Sequence, residues 1–126
     1  MHMKALLSIL LFAAAAFAAD ANVAGRWSGS MTLLAPDGQT RDGSALLILT
    51  QSGTAVAGTA GPSEDRQLPI QAGKIDGSKL TFQVQAEDVN FSFALSLDKP
   101  DHMAGEVNGT QNGQQLKIKL DLTRAK

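Results

Sequence analysis

The sequence predicts an all-β domain, an antiparallel eight-stranded up-and-down barrel, for three reasons. From Gly25 onward, apolar and polar residues alternate with a period of two, and no stretch sustains the helical period of 3.6. The alternating segments are short, and turns rich in Gly, Asp and Asn separate them. Each segment has one apolar face, which is typical of a sheet that wraps its own core. Closure removes both exposed sheet edges, although a flattened β-sandwich also fits short strands at this spacing.

Residues 1–19 are predicted to be a secretory signal peptide. Lys4 precedes an apolar run, and small residues follow that run. The run is shorter than the roughly 20 apolar residues of a spanning helix, so we expect no membrane span after cleavage. Residues 20–126 then form a single domain with 10 basic and 12 acidic residues, a net charge of −2 that does not support nucleic acid as a partner. We expect a secreted or periplasmic protein.

The first four strands are predicted at residues 25–34, 44–52, 54–61 and 68–74. The Pro and Gly of Ala35-Pro36-Asp37-Gly38 suit a tight turn after the first strand. The fourth strand is expected to be irregular, because Pro69 cannot donate a backbone hydrogen bond to a neighbour.

The last four strands are predicted at residues 79–87, 90–98, 102–110 and 114–124. Asp76-Gly77 and Asn112-Gly113 favour tight hairpin turns before the first and the last of them. Links this short favour antiparallel pairing of consecutive strands. The last strand shows the alternation best, with one apolar face made by Leu116, Ile118, Leu120 and Leu122.

The ends of the domain resemble the calycin superfamily, which includes lipocalins, fatty-acid-binding proteins and avidins. Gly25-Arg26-Trp27 opens the first strand, and Arg124 lies near the end of the last strand on its inward face. The resemblance implies a small secreted barrel, as in bacteria, in which Arg124 stacks on Trp27 by cation–π contact and closes one end. The absence of cysteine rules out a lipocalin-type disulfide, and the single Trp leaves no avidin-like aromatic wall.

The sequence shows no pattern of catalytic residues, and we expect a protein that is not an enzyme. It has no cysteine, and His102 is the only histidine beyond the predicted signal peptide. One histidine does not make a zinc site, so Asp98, Asp101, His102 and Glu106 are interpreted as a solvated turn without metal. No phosphate-binding glycine loop is present, and no cofactor is expected.

The predicted interior is apolar, with Arg124 as its only charged residue. We therefore predict a binding module for a small apolar molecule. The predicted lining consists of Met31, Leu47, Leu49, Phe82, Val84, Phe91, Phe93 and Ile118. The sequence leaves open whether the inward small residues interdigitate with large ones in a packed core or leave a cavity. Those small residues are Gly29, Gly58, Ala60, Gly105 and Gly109.

An alternative hypothesis is a protein-interaction module. The chain resembles, in size and predicted export, the small periplasmic barrels that inhibit secreted metalloproteases. That resemblance implies a flexible N-terminal segment that enters the protease cleft, here residues 20–24, with nearby loops such as residues 62–67. The sequence lacks the disulfide that is common in those inhibitors.

Overall fold

The structure, a computed structural model, describes residues 20–125 and forms a closed antiparallel β-barrel without helices in that range. The predicted signal peptide, residues 1–19, lies outside the described residues. Within the described range there is no helix of the length and apolar character needed to cross a membrane.

Nine strands build the barrel. They are β1 (Gly25–Leu34), β2 (Thr40–Ser52), β3 (Ala55–Ser63), β4 (Arg66–Pro69), β5 (Gln71–Asp76), β6 (Lys79–Ala86), β7 (Val89–Lys99), β8 (His102–Gln111) and β9 (Gln114–Arg124).

Eight of these strands close the ring, in the order β1-β2-β3-β5-β6-β7-β8-β9, and β9 pairs with β1. The β-sandwich alternative is therefore wrong. The short β4 pairs only with β3, so β4 and β5 together occupy the fourth position of the ring. The predicted irregular fourth strand is confirmed, since it breaks at Ile70, directly after Pro69.

The predicted faces are confirmed along the strands. Leu80, Phe82 and Val84 are buried on β6, whereas the residues between them are exposed. On β9 the burial deepens toward the C-terminus, where Leu120 and Leu122 are buried. The strand β2 starts four residues before its predicted start at residue 44, because polar residues from Thr40 onward continue the ladder with β1.

The barrel is packed most tightly at the end that contains Trp27, which we call the Trp27 end. Large side chains from six strands and the preceding segment are at most 1% exposed there. They are Val23, Trp27, Ile75, Leu80, Leu95, Met103 and Leu122. At the opposite end, which we call the pocket end, several inward side chains are only partly buried: Met31, Phe91, Phe93 and Ile118.

Glycines let neighbouring strands approach closely where the barrel wall bends. A Cβ added to Gly29 on β1 would lie 1.9 Å from the carbonyl oxygen of Asp121 on β9. At Gly105 on β8 the added atom would lie 2.1 Å from the carbonyl oxygen of Ala94 on β7. Only glycine fits at these positions, as expected for bends in a closed barrel.

Candidate functional site

An apolar pocket of about 260 Å³ occupies the pocket end of the barrel. Its lining comes from all nine strands except β5, because each of the others directs a residue inward at this level. No charged or hydrogen-bonding side chain contributes to it. The sequence left open whether the interior is packed or contains a cavity. The structure has both: the half near Trp27 is packed, and the half at the pocket end contains a cavity.

Six of the eight residues predicted to line a ligand site surround this pocket. They are Met31, Leu47, Val84, Phe91, Phe93 and Ile118. These residues come from β1, β2, β6, β7 and β9, so the antiparallel register brings them to one level of the barrel. Whether they bind a ligand remains a prediction.

The other two predicted residues, Leu49 and Phe82, lie outside the pocket. Both are only 2% exposed and belong to the packed core. Leu49 pairs with Gly25, two residues before Trp27, and therefore lies near the Trp27 end. Phe82 stacks on the pocket-lining Phe93, with ring centroids 4.3 Å apart and an angle of 19° between the rings, but it does not itself line the pocket.

Eight further residues line the pocket that the predicted set did not include. They are Ala45, Ala60, Gly61, Pro62, Leu68, Ala86, Val107 and Leu120. The alternation on β9 already placed Leu120 inward, next to Ile118. The sequence does not show whether Leu68 points inward, because this residue lies on the interrupted fourth strand, where the period of two does not predict which side chains face the interior.

The predicted contact between Trp27 and Arg124 is present at the Trp27 end. The two residues pair across β1 and β9, and the guanidinium carbon lies 4.5 Å from the centre of the indole ring. Arg124 also donates hydrogen bonds to the carbonyl oxygens of Ala24 (2.6 Å), Asn22 (2.7 Å) and Pro100 (2.7 Å). Arg124 is therefore bound through both terminal nitrogens at the end opposite the pocket, and its Nε lies 3.4 Å from a carboxylate oxygen of Asp101.

The segment before β1 is bound to the barrel. The side chain of Val23 is fully buried, and its carbonyl oxygen accepts a hydrogen bond of 3.0 Å from the indole Nε1 of Trp27. Gln51 bonds the backbone of this segment twice, by accepting from Val23 N (2.7 Å) and donating to Ala21 O (3.0 Å). The expectation that residues 20–24 form a flexible arm is wrong for this structure, since the segment covers the Trp27 end.

The group predicted to be a solvated turn has a different composition in the structure. His102 bonds Asp98 through Nδ1 (2.5 Å) and Asp121 through Nε2 (2.8 Å), so it joins β7, β8 and β9. Asp101 instead pairs with Arg124, and Glu106 lies 3.9 Å from the amino group of Lys117. Within residues 20–125 no three His, Cys, Asp or Glu side chains are arranged to hold a metal ion.

These hydrogen bonds change the titration of the His102 group. The bond to Asp98, and then the bond to Asp121, raise the pKa of His102 above its ordinary value. The same bond from His102 lowers the pKa of Asp98. The group lies on the barrel exterior, and its side chains are solvent-exposed to different degrees.

No protein-family model and no curated protein matches the chain. The solved structures that are similar to it in fold include two with TM-scores above 0.5. The structure of EF1p2_mFAP2b bound to DFHBI superimposes with a TM-score of 0.54 at 14% identity, over 82% of this chain and 94% of that one. A redesigned β-barrel, b11L5F_LGL, does so with a TM-score of 0.51 at 19% identity, over 82% of this chain and 92% of that one. At this identity the similarity shows the fold alone, a small closed antiparallel barrel consistent with the calycin-like resemblance.

Proposed function

We propose that this protein is a non-enzymatic binding module, exported to the periplasm or secreted, that holds a small uncharged apolar molecule. The observation that carries the proposal is the pocket of about 260 Å³ with its wholly apolar lining. An eight-stranded barrel has room for one small ligand. A cavity without polar groups gives water no hydrogen-bond partners, which favours an apolar guest.

The neutrality of the ligand follows from where the charges lie. Arg124 is the inward cation of the barrel, and Trp27 and three carbonyl oxygens already engage it. A carboxylate in the pocket would therefore be desolvated without a partner, which is costly. A similar barrel was solved with the small molecule DFHBI bound, which supports a pocket of this kind in a barrel of this size.

Binding is tested with N-phenyl-1-naphthylamine, a neutral fluorophore whose emission rises in apolar surroundings. We expect saturable binding to the wild type and at least tenfold weaker binding by Ala60→Phe, because Ala60 is buried in the pocket wall and a phenyl group there would fill the cavity. Ala57→Phe is the matched control, since Ala57 lies on the outer face of the same strand. Equal affinities of both variants, or no saturable binding by the wild type, would contradict the proposal.

Charge selectivity is tested by displacing the fluorophore with 1-dodecanol or laurate, which share a chain length and differ in charge. We expect the alcohol to compete at least tenfold better above the pKa of the acid. Equal competition would show that the site accommodates a carboxylate. Native mass spectrometry of protein purified from its own compartment then gives the mass of the natural ligand as an adduct that is lost on denaturation.

A further inference from the structure

The barrel wall has a boundary without strand pairing at the pocket end. The strand β4 pairs with β3 on one side and with no described strand on the other. Residues 84–86 of β6 pair with β7 only, because the last pair between β5 and β6 in that direction is Gln71 with Gln83. We call this boundary between Arg66–Pro69 and residues 84–86 the β4–β6 seam. Two strand edges lie side by side there without a backbone ladder to hold them.

The seam leads directly into the apolar pocket. Leu68 on one edge and Val84 and Ala86 on the other all line the cavity. Leu68 is also 40% exposed, and it is the exposed large hydrophobic side chain of the described residues. Leu68 therefore contacts both the pocket and the solvent, and it does so at the seam.

The local backbone keeps the two edges from pairing. The register between β5 and β6 shifts between Gln71 and Lys74, which marks a bulge. Ala72 within it has a positive φ of 54°, a conformation that costs free energy for a residue with a Cβ. Beyond the bulge, Pro69 has no backbone N–H to offer a neighbouring strand. Strained residues of this kind concentrate at functional sites, where the surrounding structure maintains them.

The axial route to the pocket is bounded by other apolar side chains. Leu33 on β1 and Leu116 on β9 are the inward residues one step beyond Met31 and Ile118 toward the pocket end. Both are half-buried, and neither lines the pocket. At the seam, by contrast, pocket-lining side chains on two neighbouring strand edges meet without a backbone ladder between the edges, and Leu68 is the exposed large one among them.

We propose that the ligand enters and leaves the pocket sideways, through the β4–β6 seam, and that Leu68 is the side chain that moves aside. This inference rests on the proposed function and deepens it. Opening the seam breaks no strand pairing between β4 and β6 and displaces apolar contacts only. Passage through any paired part of the wall would require a hydrogen-bonded ladder to separate first.

A disulfide across the seam tests this route. Extending the register of Gln71 and Gln83 sets Leu68 opposite Ala86, and the natural chain has no cysteine to interfere. In the Leu68→Cys/Ala86→Cys double variant, we expect oxidation to slow both association and dissociation of N-phenyl-1-naphthylamine at least tenfold in stopped-flow measurements. The dissociation constant should change much less than either rate. Reduction by dithiothreitol should restore the rates, so the reduced protein serves as the matched control.

Rates that are the same in the oxidised and reduced forms would overturn lateral access, whereas a wild type without saturable binding would instead defeat the proposed function. A second pair of variants decides the question if the disulfide does not form. Leu68→Ala should speed both rates several-fold, and Leu33→Ala at the barrel end should leave them unchanged. Faster exchange in Leu33→Ala alone would show that the ligand uses the axial route.

Discussion

Arg124 is the residue that joins most parts of the Trp27 end. It stacks on Trp27, bonds the segment before β1 through Ala24 and Asn22, and bonds the turn between β7 and β8 through Pro100. Charged donors to carbonyl oxygens and a partly desolvated cation–π contact each contribute more than an ordinary surface ion pair. The chain has no cysteine and therefore no disulfide, and at this end the Arg124 side chain connects the segments instead.

We expect Arg124→Met to lower the free energy of unfolding by about 2–3 kcal/mol, because the cation–π contact and the hydrogen bonds are lost while the chain length is kept. Urea denaturation measures this loss, and the emission of the single tryptophan should shift as well. Arg26→Met is the control. Arg26 is exposed and pairs with Glu64 on the surface, so its loss should change stability by less than about 0.5 kcal/mol. If both substitutions lowered the free energy of unfolding equally, Arg124 would not have the stabilising role at the Trp27 end that is assigned to it.

His102 makes stability depend on pH. Its pKa is raised in the folded state, so its contribution is complete below about 6.5 and is lost as the pH rises through the higher folded-state value. Asp98 has a lowered pKa, so its contribution is complete above about 3.9 and is lost as the pH falls through the folded-state value. The two conditions overlap between about pH 4 and 6.5, where imidazolium and carboxylate are both charged.

We therefore expect the melting temperatures of wild type and His102→Gln to differ most between about pH 4 and 6.5 and to converge as the pH rises beyond the raised pKa of the imidazole. Thermal unfolding across this range provides the measurement, and an NMR titration of the imidazole should give a pKa above its ordinary value. The control is Asp37→Asn, in a turn away from this group. A constant difference between pH 5 and 9 would show that the imidazole acts through packing rather than charge.

The strands depend on glycine where they approach each other most closely. Gly29 on β1 and Gly105 on β8 lie where a carbonyl oxygen of the neighbouring strand occupies the space of a Cβ. Gly43 on β2 differs, since an added Cβ there would lie 3.3 Å from the terminal methyl carbon of Met31, which can move. The closure of the barrel therefore depends on particular glycines and not on glycine content.

This difference predicts a large effect of one Gly→Ala substitution and a small effect of another, in two paired strands. Gly29→Ala should destabilise the barrel by about 2–3 kcal/mol, because the backbone of β9 must move away. Gly43→Ala should have an effect of less than about 1 kcal/mol, because a flexible side chain accommodates the methyl group. Chemical denaturation of the two variants compares them directly. A mild effect at Gly29 would indicate that β1 and β9 are farther apart than described.

Across the whole barrel, packing changes along the axis. The Trp27 end holds the most buried side chains, the N-terminal segment and Arg124, whereas the pocket end holds the cavity and the β4–β6 seam. The most tightly packed end and the proposed binding site thus lie at opposite ends of the barrel. Side chains that line a cavity make fewer van der Waals contacts, which lowers the stability of the fold. The tightly packed Trp27 end compensates for this loss of stability.

This asymmetry should be visible in native-state hydrogen exchange. Amides of β4 and of residues 84–86 should exchange fastest among the strands, because a free edge opens without breaking a ladder. Amides around Trp27, Leu122 and Met103 should exchange only by global unfolding, since these side chains are fully buried. Saturation with an apolar ligand should slow exchange at the seam more than elsewhere. Equal protection of all strands from exchange would contradict the difference in packing between the Trp27 end and the pocket end.

Local patterns were enough to predict the strand positions of the barrel and the faces of the regular strands. Alternation with a period of two marks which residues point inward, and turn chemistry marks where strands end, so eight barrel positions and the inward placement of Arg124 followed from the sequence. The observed contact between Trp27 and Arg124 also agrees with the resemblance. These features depend on residues close together in the chain, or on the ends of the first and last strands.

The depth of a residue along the barrel was decided by the tertiary structure alone. Alternation does not distinguish Leu49, which lies in the packed half, from Leu120, which lines the pocket, because both point inward. The partner of His102 on β9, the attachment of the N-terminal segment and the seam likewise required the register and curvature of the closed sheet. These contacts join residues far apart in the chain, and their distances follow from strand pairing and bulges that no local period encodes.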